Sequence, residues 1–159
     1  MAATDIEICR VAPGHRDVRW CFDRYFEEID RRFETGFDVS EGAGESLDIY
    51  APPTGALLIV RRGDEPVGCG ALARRPEGFA EIKRMWVSDA VRGTGLGQRL
   101  LEALEQCAAE AGEDVVRLDS NGALTEAHAL YRKNGYTEIA RYNDNPYAHI
   151  WFEKRLGNT

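Results

Sequence analysis

From Ile6 to Val11 the chain alternates, with Ile6, Ile8 and Arg10 on one side and Glu7, Cys9 and Val11 on the other, which predicts a short strand near a sheet edge. The period then lengthens. Val18, Cys21, Phe22, Tyr25, Phe26, Ile29 and Phe33 recur at spacings of three and four with charged residues between them, so the next element is an amphipathic helix. Between Gly36 and Gly55 the pattern dissolves into Gly and Pro, with Asp38, Glu41, Glu45 and Asp48 and no Lys or Arg, and a long acidic loop is predicted. Such a loop is either a binding loop or lid, or a solvated excursion.

Three strand-like runs follow, Ala56 to Arg61, Val67 to Arg74 and Phe79 to Val87. The segments between them, Arg62-Gly63-Asp64-Glu65-Pro66 and Arg75-Pro76-Glu77-Gly78, are short enough for hairpins, so the three form an antiparallel meander. Leu96, Leu100, Leu101, Leu104, Ala108 and Ala111 then trace a helical stripe that stops at Gly112. Val115 to Asp119 reads as a buried strand and Thr125 to Asn134 as a helix ended by Gly135. Tyr136 to Tyr142 and Ala148 to Leu156 are two last strands around Asn143-Asp144-Asn145-Pro146. The predicted fold class is α+β, a mixed, mostly antiparallel central sheet of about seven strands flanked by helices.

The length of 159 residues suits a single domain over 1–159, large enough to bury a core without disulfide or metal staples. With 20 Lys and Arg against 27 Asp and Glu, the formal net charge is −7, which argues against general nucleic-acid or anionic-membrane binding. The longest apolar runs, such as Ala56 to Val60, fall far short of the roughly 18 residues of a bilayer span. Met1 to Arg10 carries Asp5 and Glu7 where a secretory signal needs a basic segment followed by an apolar one. Cys9, Cys21, Cys69 and Cys107 are dispersed without a Cys-x-x-Cys pair, so they are read as reduced core thiols and the location as cytoplasmic. Small-molecule chemistry is the favoured class.

The stretch Val87-Ser88-Asp89-Ala90-Val91-Arg92-Gly93-Thr94-Gly95-Leu96-Gly97-Gln98 leaves a strand and enters a helix. Glycines at alternate positions let the backbone approach a ligand closely, so that successive N–H groups and the helix N-terminus converge on a phosphate or diphosphate, with Arg92 adding a full charge. The alternative is that Gly93 and Gly95 only shape the turn. A Walker A loop is excluded because no Gly-Lys-Ser/Thr follows. A dinucleotide fingerprint remains a rival, since Asp119 ends the next strand, but its third glycine would fall at Gln98 and three antiparallel strands before the turn do not suit a doubly wound sheet.

Arg92-x-x-Gly95-x-Gly97 resembles the R/Q-x-x-G-x-G/A signature of the GNAT superfamily of acyl-CoA-dependent N-acyltransferases. Ala127-x-x-Leu130-Tyr131-x-x-x-Gly135-Tyr136 is similar to that family's A-x-x-L-Y-x-x-x-G-F/Y pattern. The element order fits from Ile6 to Leu156. The resemblance implies that Arg92, Gly93, Thr94, Gly95, Leu96, Gly97 and Gln98 cradle the CoA diphosphate, and that the main chain of Met85, Trp86 and Val87 pairs with the pantetheine arm. The thioester would lie in a splay between the strands ending at Val87 and Asp119. Many relatives carry an Asn three residues before the Ala of the second motif; here that position is Leu124, with Asn121 as the substitute contact.

Acyl transfer to an amine requires removal of a proton, because an alkyl-ammonium has a pKa of about 10. Glu81, on the strand feeding the turn, is the candidate base, near the place where several relatives keep a carboxylate; the alternative is a strand carboxylate paired with Lys83 or Arg84. The resemblance makes Tyr131 the candidate acid for the leaving thiolate, against a simple packing role. A backbone N–H near Val87 would polarise the thioester carbonyl. His15, His128 and His149 form no metal constellation, with His128 expected at an exposed helix position and a place beside the cofactor as the alternative, and Trp20, Trp86 and Trp151 are expected in core or pocket walls.

The acceptor site is expected among the first helix, the acidic loop and the last hairpin, where the loop carboxylates and Asp144 would attract an amine. The expected function is transfer of an acetyl group from acetyl-CoA, as co-substrate and without a metal, to a primary amine of a small molecule or peptide, by direct attack in a ternary complex. The rivals are a CoA-binding regulatory domain without turnover and a nicotinamide-dependent oxidoreductase. A second copy of the chain, forming a homodimer, is the one macromolecular partner the reading admits.

Overall fold

The computed structural model describes residues 6–33, 36 and 47–157. In chain order the elements are β1 (Ile6–Arg10), α1 (Arg16–Arg32), a 3-10 turn (Leu47–Tyr50), β2 (Gly55–Arg62), β3 (Glu65–Arg75), β4 (Phe79–Val87), a second 3-10 turn (Asp89–Val91), α2 (Leu96–Glu110), β5 (Val115–Ser120), α3 (Thr125–Lys133), β6 (Thr137–Ile139) and β7 (Ile150–Arg155). The strands form one sheet in the order β1-β2-β3-β4-β5-β7-β6, antiparallel at every junction except β4 with β5. The predicted α+β class, with seven mixed, mostly antiparallel strands and flanking helices, is the observed one.

Alternation along the central strands sends side chains to two cores. Ala56, Leu58 and Val60 of β2 and Leu72 of β3 join the stripe of α2, Leu96, Leu100, Leu101 and Leu104, on one face. Leu57, Ile59, Cys69, Ala71 and Ala73 meet Val18, Cys21 and Phe22 of α1 on the other. Close packing on the first face needs Gly70, where a Cβ would lie 2.8 Å from Leu104 Cδ1. Among the described residues no helix is long and apolar enough to cross a membrane.

Three local features go beyond the sequence pattern. The helix α1 is capped by His15, whose ring accepts from the Asp17 N–H at 3.1 Å in place of the usual Ser, Thr, Asp or Asn. The predicted acidic loop holds a 3-10 turn that buries Tyr50 completely, while Asp38, Glu41 and Glu45 lie outside the described residues. The two final strands shrink to Thr137–Ile139 and Ile150–Arg155, because the polar residues between them fold into a loop that bonds back to β4 and β5. A long return also lets β7 pass β6 and pair with β5, from Val115↔Arg155 to Ser120↔Ile150.

Candidate active site

The registered pairs between the parallel strands β4 and β5 are Ala80↔Val116 and Glu81↔Arg117. Beyond them the strands diverge, so β4 from Ile82 to Val87 has no strand along its β5 side and a V-shaped gap opens toward the strand ends. In the same stretch β4 bulges. Cys69↔Trp86 is followed by Ala71↔Lys83, so two steps on β3 face three on β4, and Arg84 takes φ +55° within the extra residue. Its guanidinium is buried among Phe22, Phe26 and Tyr50, 4.8, 5.2 and 5.7 Å from the ring centres, and its carbonyl accepts from the Cys69 thiol. Packing of this kind is what holds a side-chain-bearing residue in a backbone region that costs about 1–3 kcal/mol.

The gap continues into a cleft of about 360 Å³ whose walls come from β4, the glycine turn, α1 and α3. Met85, Trp86 and Val87 form one side. Arg92, Gly93, Gly95, Leu96 and Gly97 form the rim, and Tyr131 closes the α3 side. Thr94 and Gln98 are absent from this lining: the Thr94 hydroxyl donates to the Val91 carbonyl at 2.6 Å, and the Gln98 amide to Glu102.

The three glycines of the turn have different causes. Gly93 and Gly95 both take φ +81°, and a Cβ at either would meet nothing within 4 Å, so chain conformation and open space, not a packed neighbour, mark these positions. Gly97 has ordinary helical geometry, and its added Cβ would stand 3.3 Å from Leu130 Cδ2, so it lets α2 approach α3. Gly95 caps α2 without a side-chain hydrogen bond. The first-turn N–H groups at the mouth of the cleft therefore keep their donor capacity for an anion, and the residues present fit a diphosphate.

Arg92 reaches across the cleft. Its guanidinium meets Glu28 of α1 at 2.6 and 2.7 Å and Asp89 at 2.5 Å, and its Nε donates to the Val87 carbonyl at 3.0 Å. Glu28 also accepts from Trp86 Nε1 at 3.2 Å and from Arg32, which in turn holds Glu126 of α3 through two contacts, one of 2.7 Å. A charge chain thus links the turn, α1 and α3. The Arg32 guanidinium beside it holds the Glu126 carboxyl down to about 2.

Tyr131 is buried against Tyr136 and Phe152. Burial first, then the Asp119 and Glu126 carboxylates, push its hydroxyl well above the usual tyrosine value, so it stays protonated at neutral pH. Tyr25 of α1 lines the cleft from the opposite side and is raised by burial and again by Asp119. Glu81 does not line the cleft. It is buried at the closed end of the V, accepting from Arg75 at 2.8 Å, Tyr142 at 2.8 Å and Asn143 at 3.3 Å, and not from Lys83 or Arg84.

Asn121 is also away from the lining: its amide donates to the Tyr147 carbonyl at 2.7 Å and accepts from the Ala123 N–H, while Leu124 faces the cleft. His128, expected at the surface, is buried, because that side of α3 meets β5 and β7: its Nε2 sits 3.0 Å from Ser120 Oγ and its ring 5.8 Å from that of Phe152; burial holds it below the ordinary histidine value. Trp86 is a cleft wall, whereas Trp20 is exposed, edge-on to Trp86 under Arg24. Asp144 pairs with Arg141 at the surface.

Some residues of this site had no signal in the sequence: Glu28 and Arg32 have the i,i+4 spacing of any exposed helix pair, and Tyr25 belongs to an apolar stripe.

The sequence profile of the Acetyltransferase (GNAT) domain matches residues 53–138, from before β2 to β6. An IAA acetyltransferase of Azospirillum brasilense is 34% identical over 134 residues, covering 82% of this chain and 87% of that protein. The crystal structure of a GNAT-family acetyltransferase of Staphylococcus aureus Mu50 superposes with a TM-score of 0.83 at 18% identity, covering 96% and 99% of the two chains. A GNAT-family acetyltransferase of Elizabethkingia anophelis, solved with acetyl-CoA bound, matches with a TM-score of 0.65 at 16% identity over 96% and 99%. With the glycine turn on the matched segment and the splayed strands beside it, the chain belongs to the GNAT family of acetyl-CoA-dependent N-acetyltransferases.

Proposed function

We propose that this protein transfers the acetyl group of acetyl-CoA to a primary amine of a small molecule or peptide by direct attack in a ternary complex. The observation that carries the reading is the splay, which joins an unpaired strand edge, the first turn of α2 and a protonated Tyr131 in one cleft. An extended pantetheine arm can add to the free edge of β4 as a strand would, at Met85 to Val87. The N–H groups at the start of α2 receive the diphosphate, with Arg92 leaving Glu28 to join them. A backbone N–H of the bulged segment polarises the thioester carbonyl, and the Tyr131 hydroxyl serves the departing sulfur. Direct attack is favoured because, among the described residues lining the cleft, there is no cysteine or serine to carry the acetyl group. The four free cysteines suit a reducing, cytoplasmic setting.

Thermal unfolding with acetyl-CoA, CoA or NAD tests the reading. A ligand at 100 times its Kd stabilises by about 2.7 kcal/mol, a Tm rise of roughly 5–11 °C for a chain of this size. The expected result is a rise with both CoA species and none with NAD, followed by thiol release on an amine panel that includes polyamines and amino-acid derivatives. A rise with NAD alone overturns the assignment, and CoA binding without thiol release on any acceptor supports the regulatory alternative.

A further inference from the structure

An ammonium of pKa about 10 has to lose a proton before its nitrogen can attack, and the carboxylate on β4 is poorly placed to take it. Glu81 is saturated by Arg75, Tyr142 and Asn143, and it stands where β4 and β5 are still paired. Asp119 differs on both counts. It lies two residues past Arg117, the last residue of β5 paired with β4, and so belongs to the part of β5 that has parted from its neighbour. The buried Leu118 and Ser120 on either side of it point to the α2 and α3 face, where Ser120 meets His128. Asp119 therefore points to the α1 face of the gap, set back like Glu81 from the residues that line the cleft but on the diverged part of its strand.

Its carboxylate is aimed by neutral donors. Asn143 Nδ2 donates at 2.6 Å and Asn145 Nδ2 at 3.1 Å, and Asn143 is itself fixed by Trp151 Nε1 at 3.0 Å. Amide donors orient a carboxylate without neutralising it. The charge is felt from both walls of the cleft: Tyr25 on α1 and Tyr131 on α3 are each shifted upward by Asp119 after the effect of burial. Resting on the acetyltransferase reading above, we propose that Asp119 is the catalytic base, the carboxylate at the inner end of the splay that binds the acceptor's ammonium and takes its proton.

The balance of the reaction follows. The ammonium gives one proton to Asp119, its freed lone pair forms the C–N bond at the thioester carbonyl, and the C–S bond breaks. The departing sulfur takes a proton from Tyr131, which recovers one from the acylated nitrogen, and Asp119 returns its proton to water. Glu81 reaches this chemistry only through Asn143, whose Nδ2 lies within reach of both carboxylates, and is a positioning residue. The titratable groups that feel Asp119 are Tyr25 from α1, Tyr131 from α3 and Tyr142 from the segment before Asn143, with Arg84 acting on Tyr25, Arg117 on Tyr142, and Glu81 sharing the Asn143 amide.

The test is Asp119→Asn assayed on an amine that the wild type acetylates, from pH 7 to 10. With the base present, kcat/KM is level over neutral pH, because the ammonium is the species bound. Without it only the free amine reacts, so the variant's kcat/KM rises about tenfold per pH unit toward the amine's own pKa. The expected result is a loss of about 10²–10⁴-fold at pH 7, shrinking toward pH 10, with the acetyl-CoA-induced Tm rise of the wild type retained and partial recovery in Asp119→Glu. Wild-type rates in Asp119→Asn, or a loss that is constant across the pH range, overturn the assignment of Asp119 alone. A wild-type protein that acetylates no amine overturns the acetyltransferase reading and this assignment with it.

Discussion

Arg92 of the glycine turn and Glu28 of α1 face each other across the cleft with two guanidinium–carboxylate contacts of 2.6 and 2.7 Å. The same arginine that would meet a diphosphate is held by a carboxylate 64 residues away in sequence. Glu28 therefore competes with the ligand for Arg92. Glu28→Gln is expected to raise acetyl-CoA affinity by up to about fivefold, the equivalent of the roughly 1 kcal/mol ceiling for a partly exposed pair. Isothermal titration checks this, and weaker binding in the variant would show that Glu28 organises the site instead of blocking it.

Gly95 tests the cradle. Its φ of +81° disfavours any residue with a Cβ, yet an added methyl would meet no neighbour within 4 Å. Gly95→Ala should cost about 1–2 kcal/mol of stability through the backbone while cutting acetyl-CoA affinity on the order of tenfold, by filling the space an anion needs. Thermal unfolding with and without ligand separates the two effects, and an unchanged affinity removes the case for a cradle at this position.

Tyr131→Phe keeps the ring against Tyr136 and Phe152 and removes only the hydroxyl. A group that assists only the departing sulfur affects turnover more than binding. A fall in kcat on the order of 10²-fold with an unchanged acetyl-CoA Kd is expected. Wild-type kcat in the variant would return Tyr131 to a packing role.

The Arg32–Glu126 pair gives a pH dependence. The folded-state value of Glu126 is lowered to about 2 by Arg32, below its unfolded value. Its stabilisation is therefore present above the unfolded carboxyl value of about 4.3 and is lost as pH falls toward 2. Because the Glu126 side chain is 57% exposed, the contribution is about 0–1 kcal/mol and screened by salt. In urea unfolding, the gap between wild type and Glu126→Gln should be measurable at pH 7 and close below pH 4. A gap of constant size would contradict the pairing.

Element type was legible wherever burial imposes a period. The stripes of α1 and α2 and the β2–β4 meander read correctly because each must hide one face or both. The turn at 92–97 was legible because chain conformation at Gly93 and Gly95 and helix approach at Gly97 restrict the residue locally. Tyr50 escaped because a lone buried aromatic in a polar run makes no period, and the order of β6 and β7 escaped because adjacent strands can pair in either arrangement. His128 is the converse case: its polar type suggests solvent, whereas Ser120 satisfies it inside.

By itself, then, the sequence determined what depends on neighbours along the chain: helix and strand periods, the α+β class, the glycine turn before α2 and the Ala127–Tyr136 motif that mark the family. Only the tertiary structure decided what depends on separations in space. It parted β4 from β5 after Glu81 and Arg117, set Arg92 against Glu28, tied Glu81 to Arg75 and Tyr142, and turned Asn143 and Asn145 onto Asp119. The physical reason is range. A backbone preference or a hydrophobic stripe acts within a few residues, whereas a carboxylate's partners are whichever groups the completed sheet brings within about 3 Å, and those leave no spacing in the chain to read.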